Sequence, residues 1–120
     1  MAEKTLVLGA SLNSGRYSHM AIHQLVRSNI DVVAIGKKKG VVAGISIDEK
    51  LVPYKGVDTV TLYLNSSNQK QFYGYIIGLK PRRVIFNPGT ENPEFYLLLK
   101  DNGIQVQQAC TLVLLSTNQY

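Results

Sequence analysis

The sequence is poor in cysteine and has no long apolar run. Its single cysteine, Cys110, cannot form a disulfide within the chain, which suits a reducing compartment. We therefore expect a cytoplasmic protein. The apolar runs are too short and interrupted to span a bilayer, which needs about 20 apolar residues in succession. The opening stretch, MAEKTLVLGA, leads directly into a strand pattern, so no signal peptide is expected.

Negative charge is also scarce, because 13 Lys and Arg residues stand against 8 Asp and Glu residues, a formal net charge of +5. A basic balance favours anionic partners. The sequence has no long basic helix and no arginine-rich arm, so no nucleic-acid-binding face is expected. The densest positive run is KKK at residues 37–39. Charge concentrated in one loop is more typical of a small-ligand site, although a solvated lysine turn is the alternative interpretation.

Strand-like and helix-like segments alternate along the chain. Residues 5–8, 31–35, 57–64, 83–86 and 104–109 are predicted strands, and residues 41–47 a short extended piece at an edge. Ser18 is the expected N-cap of the first helix, and Asn92 with Pro93 should begin a later one. The alternation predicts one α/β domain over residues 1–120, a doubly wound, Rossmann-like domain. Its sheet should be mainly parallel and five-stranded, in the order 3-2-1-4-5.

A fold of this kind binds ligands at the carboxyl ends of its strands, where the strand order reverses. The candidate loops are residues 9–17, 36–40, 64–67 and 87–90. In the first, GASLNSGRYS, Gly9 allows a close backbone approach, and the free N–H groups of the following helix suit a phosphate. The loop matches neither the G-x-G-x-x-G fingerprint nor the Walker A motif. A strand–helix turn without a ligand is the alternative interpretation.

The lysine run follows the second predicted strand. At this place an NAD-binding domain carries Asp or Glu, which holds the ribose hydroxyls. Ammonium groups there favour a phosphorylated ribose instead, so NADP or coenzyme A (CoA) fits better than NAD.

A set of motifs covers the chain from about residue 4 to residue 110. They are VLGAS followed by Asn13, Arg16 and Ser18, then VVAIGK, then NPGTENP, and a cysteine after the last strand. Together they resemble the small CoA-binding domain family, which is similar to the N-terminal CoA-binding domain of the succinyl-CoA synthetase α subunit. The chain departs from the family at Ser14, where proline is frequent, and this departure implies a looser turn.

The resemblance implies a role for each matching residue. The phosphate end of CoA would be lined by Gly9, Ala10, Ser11, Asn13, Arg16 and Ser18. The adenosine 3′-phosphate would face Gly36, Lys37 and Lys38. The adenine or upper pantetheine would lie beside Leu64 and Asn65, and the pantetheine arm beside Asn87, Pro88 and Gly89.

No catalytic or metal-binding set is expected. His19 and His23 lie one helical turn apart but lack the Glu of the H-E-x-x-H motif, so surface or boundary positions are favoured. Cys110 is expected to be a small buried side chain, with a mixed disulfide to the CoA thiol as the alternative. Glu91 is the available carboxylate of the crevice, and complementing a helix dipole is its alternative role.

The leading hypothesis is a non-catalytic or regulatory protein that binds CoA or an acyl-CoA. Two other hypotheses stay open. An accessory of an NADP-linked oxidoreductase would share the lysine loop but needs a nicotinamide site and a proton donor. A protein-interaction module would use the apolar tail, residues 112–115 with Tyr120, to contact a second subunit or a protein partner. That tail could instead pack on its own sheet.

Overall fold

Short runs of β-branched and aliphatic residues form most of the strands, and segments with one apolar side form the longer helices between them. The computed structural model describes residues 4–120, so the start of the expected 1–120 domain lies outside the described residues. The strands are β1 (Lys4–Ala10), β2 (Val32–Gly36), β3 (Gly40–Val42), β4 (Ile45–Asp48), β5 (Val57–Leu62), β6 (Arg83–Phe86) and β7 (Gln105–Gln108). The helices are α1 (Tyr17–Arg27), α2 (Ser66–Gln69), α3 (Tyr73–Leu79), α4 (Pro93–Asp101) and α5 (Thr111–Ser116), with a 3₁₀ turn at Lys70–Phe72. Within this described part, no helix has the length and apolarity to cross a membrane.

The strands form one seven-stranded sheet in the order β3-β4-β2-β1-β5-β6-β7. All neighbouring strands run parallel except β3 and β4. The expected α/β Rossmann-like fold with a mainly parallel sheet is therefore confirmed. The five-stranded sheet in the order 3-2-1-4-5 is wrong. The strand order reverses between β1 and β5, and a ligand crevice of this fold class opens at that point.

A hairpin explains the difference in strand number. Residues 41–47 were expected to form one extended piece, but the chain turns back at Ala43 and Gly44, whose φ angles are 51° and 80°. Two successive residues with positive φ make a tight hairpin turn. β3 therefore pairs antiparallel with β4, and β4 pairs in parallel with β2. One segment thus adds two strands to this side of the sheet.

Two apolar cores lie on the opposite faces of the sheet, because successive side chains of a strand point to opposite sides. Leu6 and Leu8 of β1 belong to the core that α3 and α4 cover, whereas Val7 belongs to the core that α1 covers. The helices thus shield both faces, as a parallel sheet requires. The carboxyl edge stays open between them.

The C-terminal segment packs on its own sheet. The ring of Tyr120 lies 4.5 Å from the guanidinium carbon of Arg83, which is buried and also donates to Thr59 and Gln107. The Tyr120 hydroxyl forms a hydrogen bond with Thr5. In this structure the end of the tail, at Tyr120, therefore packs on its own sheet, which is one of the two arrangements considered for it.

β1 and β2 approach each other closely where they reach the carboxyl edge. A Cβ atom built on Gly36 would lie 2.2 Å from the carbonyl oxygen of Ala10, a contact that real Cβ atoms essentially never make. The register of the two strands also shifts between Leu8 and Ala10. Position 36 therefore requires glycine for lack of space.

Gly36→Ala should lower the free energy of unfolding by roughly 2–3 kcal/mol, because the backbone of one strand must move to admit the methyl group. Urea denaturation would measure the change. Gly78→Ala in α3 is the matched control, because no atom lies within 4 Å of its added Cβ. Equal stabilities of the two variants would contradict the close approach.

Candidate functional site

The candidate loops follow the carboxyl ends of β1, β2, β5 and β6. Because these strands are parallel, their loops emerge at one edge of the sheet. Two of these loops are adjacent: the first loop, residues 11–16, and the lysine loop, residues 37–39. They follow β1 and β2, which are neighbours, so they leave the sheet side by side.

Side-chain oxygens fold the first loop. Ser11 Oγ accepts a hydrogen bond from the backbone N–H of Asn13 at 3.0 Å, and Asn13 Oδ1 accepts from that of Gly15 at 2.9 Å. The carbonyl of Asn13 then accepts from the backbone N–H of Arg16 at 3.0 Å. Ser11 and Asn13, both expected to contact a ligand, thus hold the loop in shape.

The N-terminus of α1 has no side-chain cap. The N-cap residue is Arg16, in an extended conformation, and its side chain makes no capping hydrogen bond. The expectation that Ser18 is the cap is wrong. The turn that begins at Asn13 ends at Arg16, so the helix begins at Tyr17. Ser18 is therefore a buried residue of the first helical turn. By contrast, Asn65 and Asn92 cap α2 and α4. The first turn of α1 therefore offers backbone N–H groups and the positive end of the helix dipole to an anion.

Exposed cations surround this helix end. Arg16 and the lysines 37–39 are all exposed, and no ion pair within residues 4–120 involves them. The ion pair that is present, Arg82 with Asp58, lies at the opposite edge of the sheet, where β5 and β6 begin. The two loops beside α1 thus carry four exposed cations that no described ion pair neutralises.

Gly9 lets the loop after β5 approach β1. Its φ of 97° favours glycine, and an added Cβ would lie 3.1 Å from the carbonyl carbon of Tyr63 and 3.2 Å from Leu64 Cδ2. The space beside Gly9, which was expected to admit a ligand, is therefore occupied by Tyr63 and Leu64. Burial raises the pKa of Tyr63 to about 12, so its hydroxyl stays protonated at neutral pH.

Gln69 ties together two loops of the carboxyl edge. Its side chain is fully buried, and its Nε2 donates to the carbonyl oxygens of Leu64 at 2.9 Å and of Thr90 at 2.7 Å. Its Oε1 accepts from Asn92 Nδ2 at 2.9 Å. Sequence reasoning missed this residue, because a glutamine within the polar run SSNQKQ carries no sign of burial.

Asn87 was expected beside the pantetheine arm, but the structure buries it among hydrogen bonds of the fold. Its Nδ2 donates to Thr61 Oγ1 and to the carbonyl of Leu62, and its Oδ1 accepts from the backbone N–H of Thr111. These bonds join β5, β6 and the start of α5.

Pro88 and Gly89, the next residues of this loop, are exposed at the edge. The carboxylate of Glu91 accepts from the backbone N–H of Gly89 at 3.0 Å and 3.2 Å. This carboxylate, the one considered as an acid or base, is thus engaged in folding the loop.

The two histidines lie at the border of α1. The rings of His19 and His23 are 4.9 Å apart and half-buried, beside a groove between α1 and α5. Among the described residues, no three His, Cys, Asp or Glu side chains form a group that could hold a metal ion. Cys110 is half-buried at the start of α5.

A model of the family described as "CoA binding domain" matches residues 3–116. The chain therefore belongs to the CoA binding domain family. An uncharacterized protein of known crystal structure is 46% identical in sequence to this chain. The two structures match with a TM-score of 0.96, over 100% of this chain and 99% of that one. No curated protein sequence matches the chain.

Two more distant structures share the fold of this CoA binding domain. A Thermus thermophilus protein is 22% identical, with a TM-score of 0.86, over 99% of this chain and 91% of its own. A hypothetical protein from Pyrococcus horikoshii is 20% identical, with a TM-score of 0.83, over 93% of this chain and 80% of its own.

The expected ligand residues of this CoA binding domain all lie at the carboxyl edge, but they differ in exposure. The exposed ones are Asn13, Arg16, Lys37, Lys38, Asn65, Pro88 and Gly89. Gly9, Ser11, Gly36 and Leu64 are half-buried, and Ala10, Ser18 and Asn87 are buried. A ligand on this edge would thus meet the exposed set first, while the buried set holds the loops.

Gln69→Ala should lower the free energy of unfolding of the CoA binding domain by roughly 3 kcal/mol, because the carbonyls of Leu64 and Thr90 lose the side chain that donates to them, and the Asn92 amide loses one of its two acceptors. Chemical denaturation would measure this. Gln71→Ala is the control, because Gln71 lies two residues further along, in the 3₁₀ turn that follows α2, but is exposed, and its change should stay within about 0.5 kcal/mol. If Gln69→Ala lowers the free energy of unfolding no more than Gln71→Ala does, Gln69 does not join the two loops.

Proposed function

We propose that this protein binds CoA or an acyl-CoA as a non-catalytic or regulatory protein, with residues 1–120 acting as one CoA-binding domain. The observation that carries the proposal is the uncapped N-terminus of α1, which lies beside Arg16 and the exposed lysine loop. Membership of the CoA binding domain family supports it. The lone thiol is compatible with the proposed cytoplasmic location, where thiols stay reduced.

The pyrophosphate of CoA would bind at the start of α1. Backbone N–H groups of the first helical turn would donate to its oxygens, and the Arg16 guanidinium would add a charge-assisted contact. The resemblance also assigned Gly9, Ala10, Ser11, Asn13 and Ser18 to this subsite. In the proposal these residues act mainly by shaping the loop, because their side chains are small, buried or engaged within it.

The 3′-phosphate of the adenosine would bind at the lysine loop, which begins directly after Gly36. Lys37 and Lys38 have free, exposed ammonium groups there, and no carboxylate partner among the described residues competes for them. The adenine or upper pantetheine would then lie beside Leu64 and Asn65, and the arm would pass Pro88 and Gly89. This arrangement leaves the thiol or acyl end free for other molecules.

An accessory of an NADP-linked oxidoreductase is the second candidate, because the same lysines would suit the 2′-phosphate of NADP. Such an accessory would also need a proton donor, and the Glu91 carboxylate of the crevice is already held by the backbone N–H of Gly89. Membership of the CoA binding domain family favours CoA as the ligand.

A thermal-shift titration tests the choice of ligand, with CoA, acetyl-CoA, dephospho-CoA, NADP and AMP as probes. CoA and acetyl-CoA should raise the melting temperature most, because a ligand stabilises the native state according to its affinity. Dephospho-CoA should give a smaller shift. No shift with any CoA species at millimolar concentration would reject the proposal, and a larger shift with NADP would favour the second candidate.

The double variant Lys37→Ala with Lys38→Ala should weaken CoA binding about tenfold and dephospho-CoA binding less than about twofold. Isothermal titration calorimetry would measure both affinities. Lys55→Ala with Lys100→Ala is the matched control, because it removes the same charge from exposed lysines outside the carboxyl edge. Equal weakening of both ligands would place the 3′-phosphate elsewhere.

A further inference from the structure

A leucine of the first loop packs on the end of the lysine loop. A Cβ atom built on Gly40 would lie 2.4 Å from Leu12 Cδ2 and 2.9 Å from Leu12 Cδ1. The leucine side chain therefore occupies the space that a side chain at position 40 would need. Gly40 begins β3 directly after the lysines, so this contact joins the two cationic loops.

Few other interactions link these two loops. The hydrogen bonds of Ser11 and Asn13 run within the first loop, and none within residues 4–120 joins residues 11–16 to residues 37–39. The strand pairing below them ends with Ala10 opposite Gly36. Below the loops, Val42 of β3 packs in the core under α1. At the loops themselves, the Leu12–Gly40 contact is the described link between them.

The exposure of Leu12 argues that this contact matters little for folding. The side chain is 44% exposed, and an aliphatic side chain that stays so accessible to solvent adds little to the stability of a core. A fixed spacing of the two charged loops has a different effect, because a ligand that bridges them gains affinity from loops already held at the right distance.

We infer that Leu12 is a positioning residue that sets the spacing between the pyrophosphate subsite at α1 and the 3′-phosphate subsite at the lysine loop. It touches no ligand atom in this role. Selectivity for a nucleotide that carries both groups then depends on the Leu12–Gly40 contact. The inference rests on the proposed function.

Calorimetric titration of Leu12→Ala with CoA and with dephospho-CoA tests this inference. The preference for CoA, expressed as the ratio of the two dissociation constants, should fall about fivefold, because the lysine loop loses its support. Leu12→Met, which keeps the volume, should retain the preference. Leu98→Ala is the control, since Leu98 is 37% exposed and lies on α4, which covers the other face of the sheet, and it should leave the ratio unchanged.

A substitution at Gly40, the other partner of the contact, gives a second test. Gly40→Ala should lower the CoA preference in the wild-type background, because the added methyl displaces Leu12. In the Leu12→Ala background the same change should have no further effect, because the displaced side chain is already gone. Additive effects of Leu12→Ala and Gly40→Ala on the ratio of the two dissociation constants would overturn the inference. An equal loss of affinity for CoA and dephospho-CoA would overturn it too.

Hydrogen exchange without ligand separates this inference from the proposed function. Leu12→Ala should speed the exchange of the backbone amides of β3, residues 40–42, about threefold or more, whereas Leu98→Ala should not. Unchanged exchange would reject the coupling between the loops even if CoA binds. Failure of the wild-type protein to bind any CoA species would instead reject the proposed function.

Discussion

The carboxyl edge of this protein depends on the close contact between the backbones of β1 and β2. The carbonyl of Ala10 occupies the space that a side chain at position 36 would need. Because the strands approach so closely, the loops that follow them leave the sheet as neighbours. An uncapped helix end from one strand and three lysines from the other are thereby brought to the same place. Elsewhere on the sheet the same residues would be a solvated turn and an ordinary helix start.

The polar residues at this edge divide into those that hold the loops and those that remain accessible. Gln69 and Asn87 are buried, and their amides are used by the backbone of neighbouring segments. Arg16 and the lysine loop are exposed and have no ion-pair partner among the described residues. The proposed binding of a large anionic ligand depends on this combination of internally bonded loops and accessible charges.

Much of the fold was predictable, because alternating apolar strands and amphipathic helices leave a strong periodic pattern. The cap of α4 was predictable too, since Asn92 followed by Pro93 is a local signal, and the structure confirms it. The cap of α1 was not, because the hydrogen bonds of the preceding turn decided that the helix starts at Tyr17. The hairpin at Ala43 and Gly44 was also missed, because only glycine there signals a turn.

By itself the sequence determined the class of the fold, the strands that precede each candidate loop and the positive charge of the lysine run. These are local properties of composition and spacing. The tertiary structure alone decided which of the candidate residues use their side chains in hydrogen bonds or packing within the fold. Whether an amide such as that of Asn87 meets solvent or a distant backbone group depends on contacts between segments far apart in the chain. The packing of Leu12 on Gly40 is of the same kind, because two strands must pair before their loops can touch.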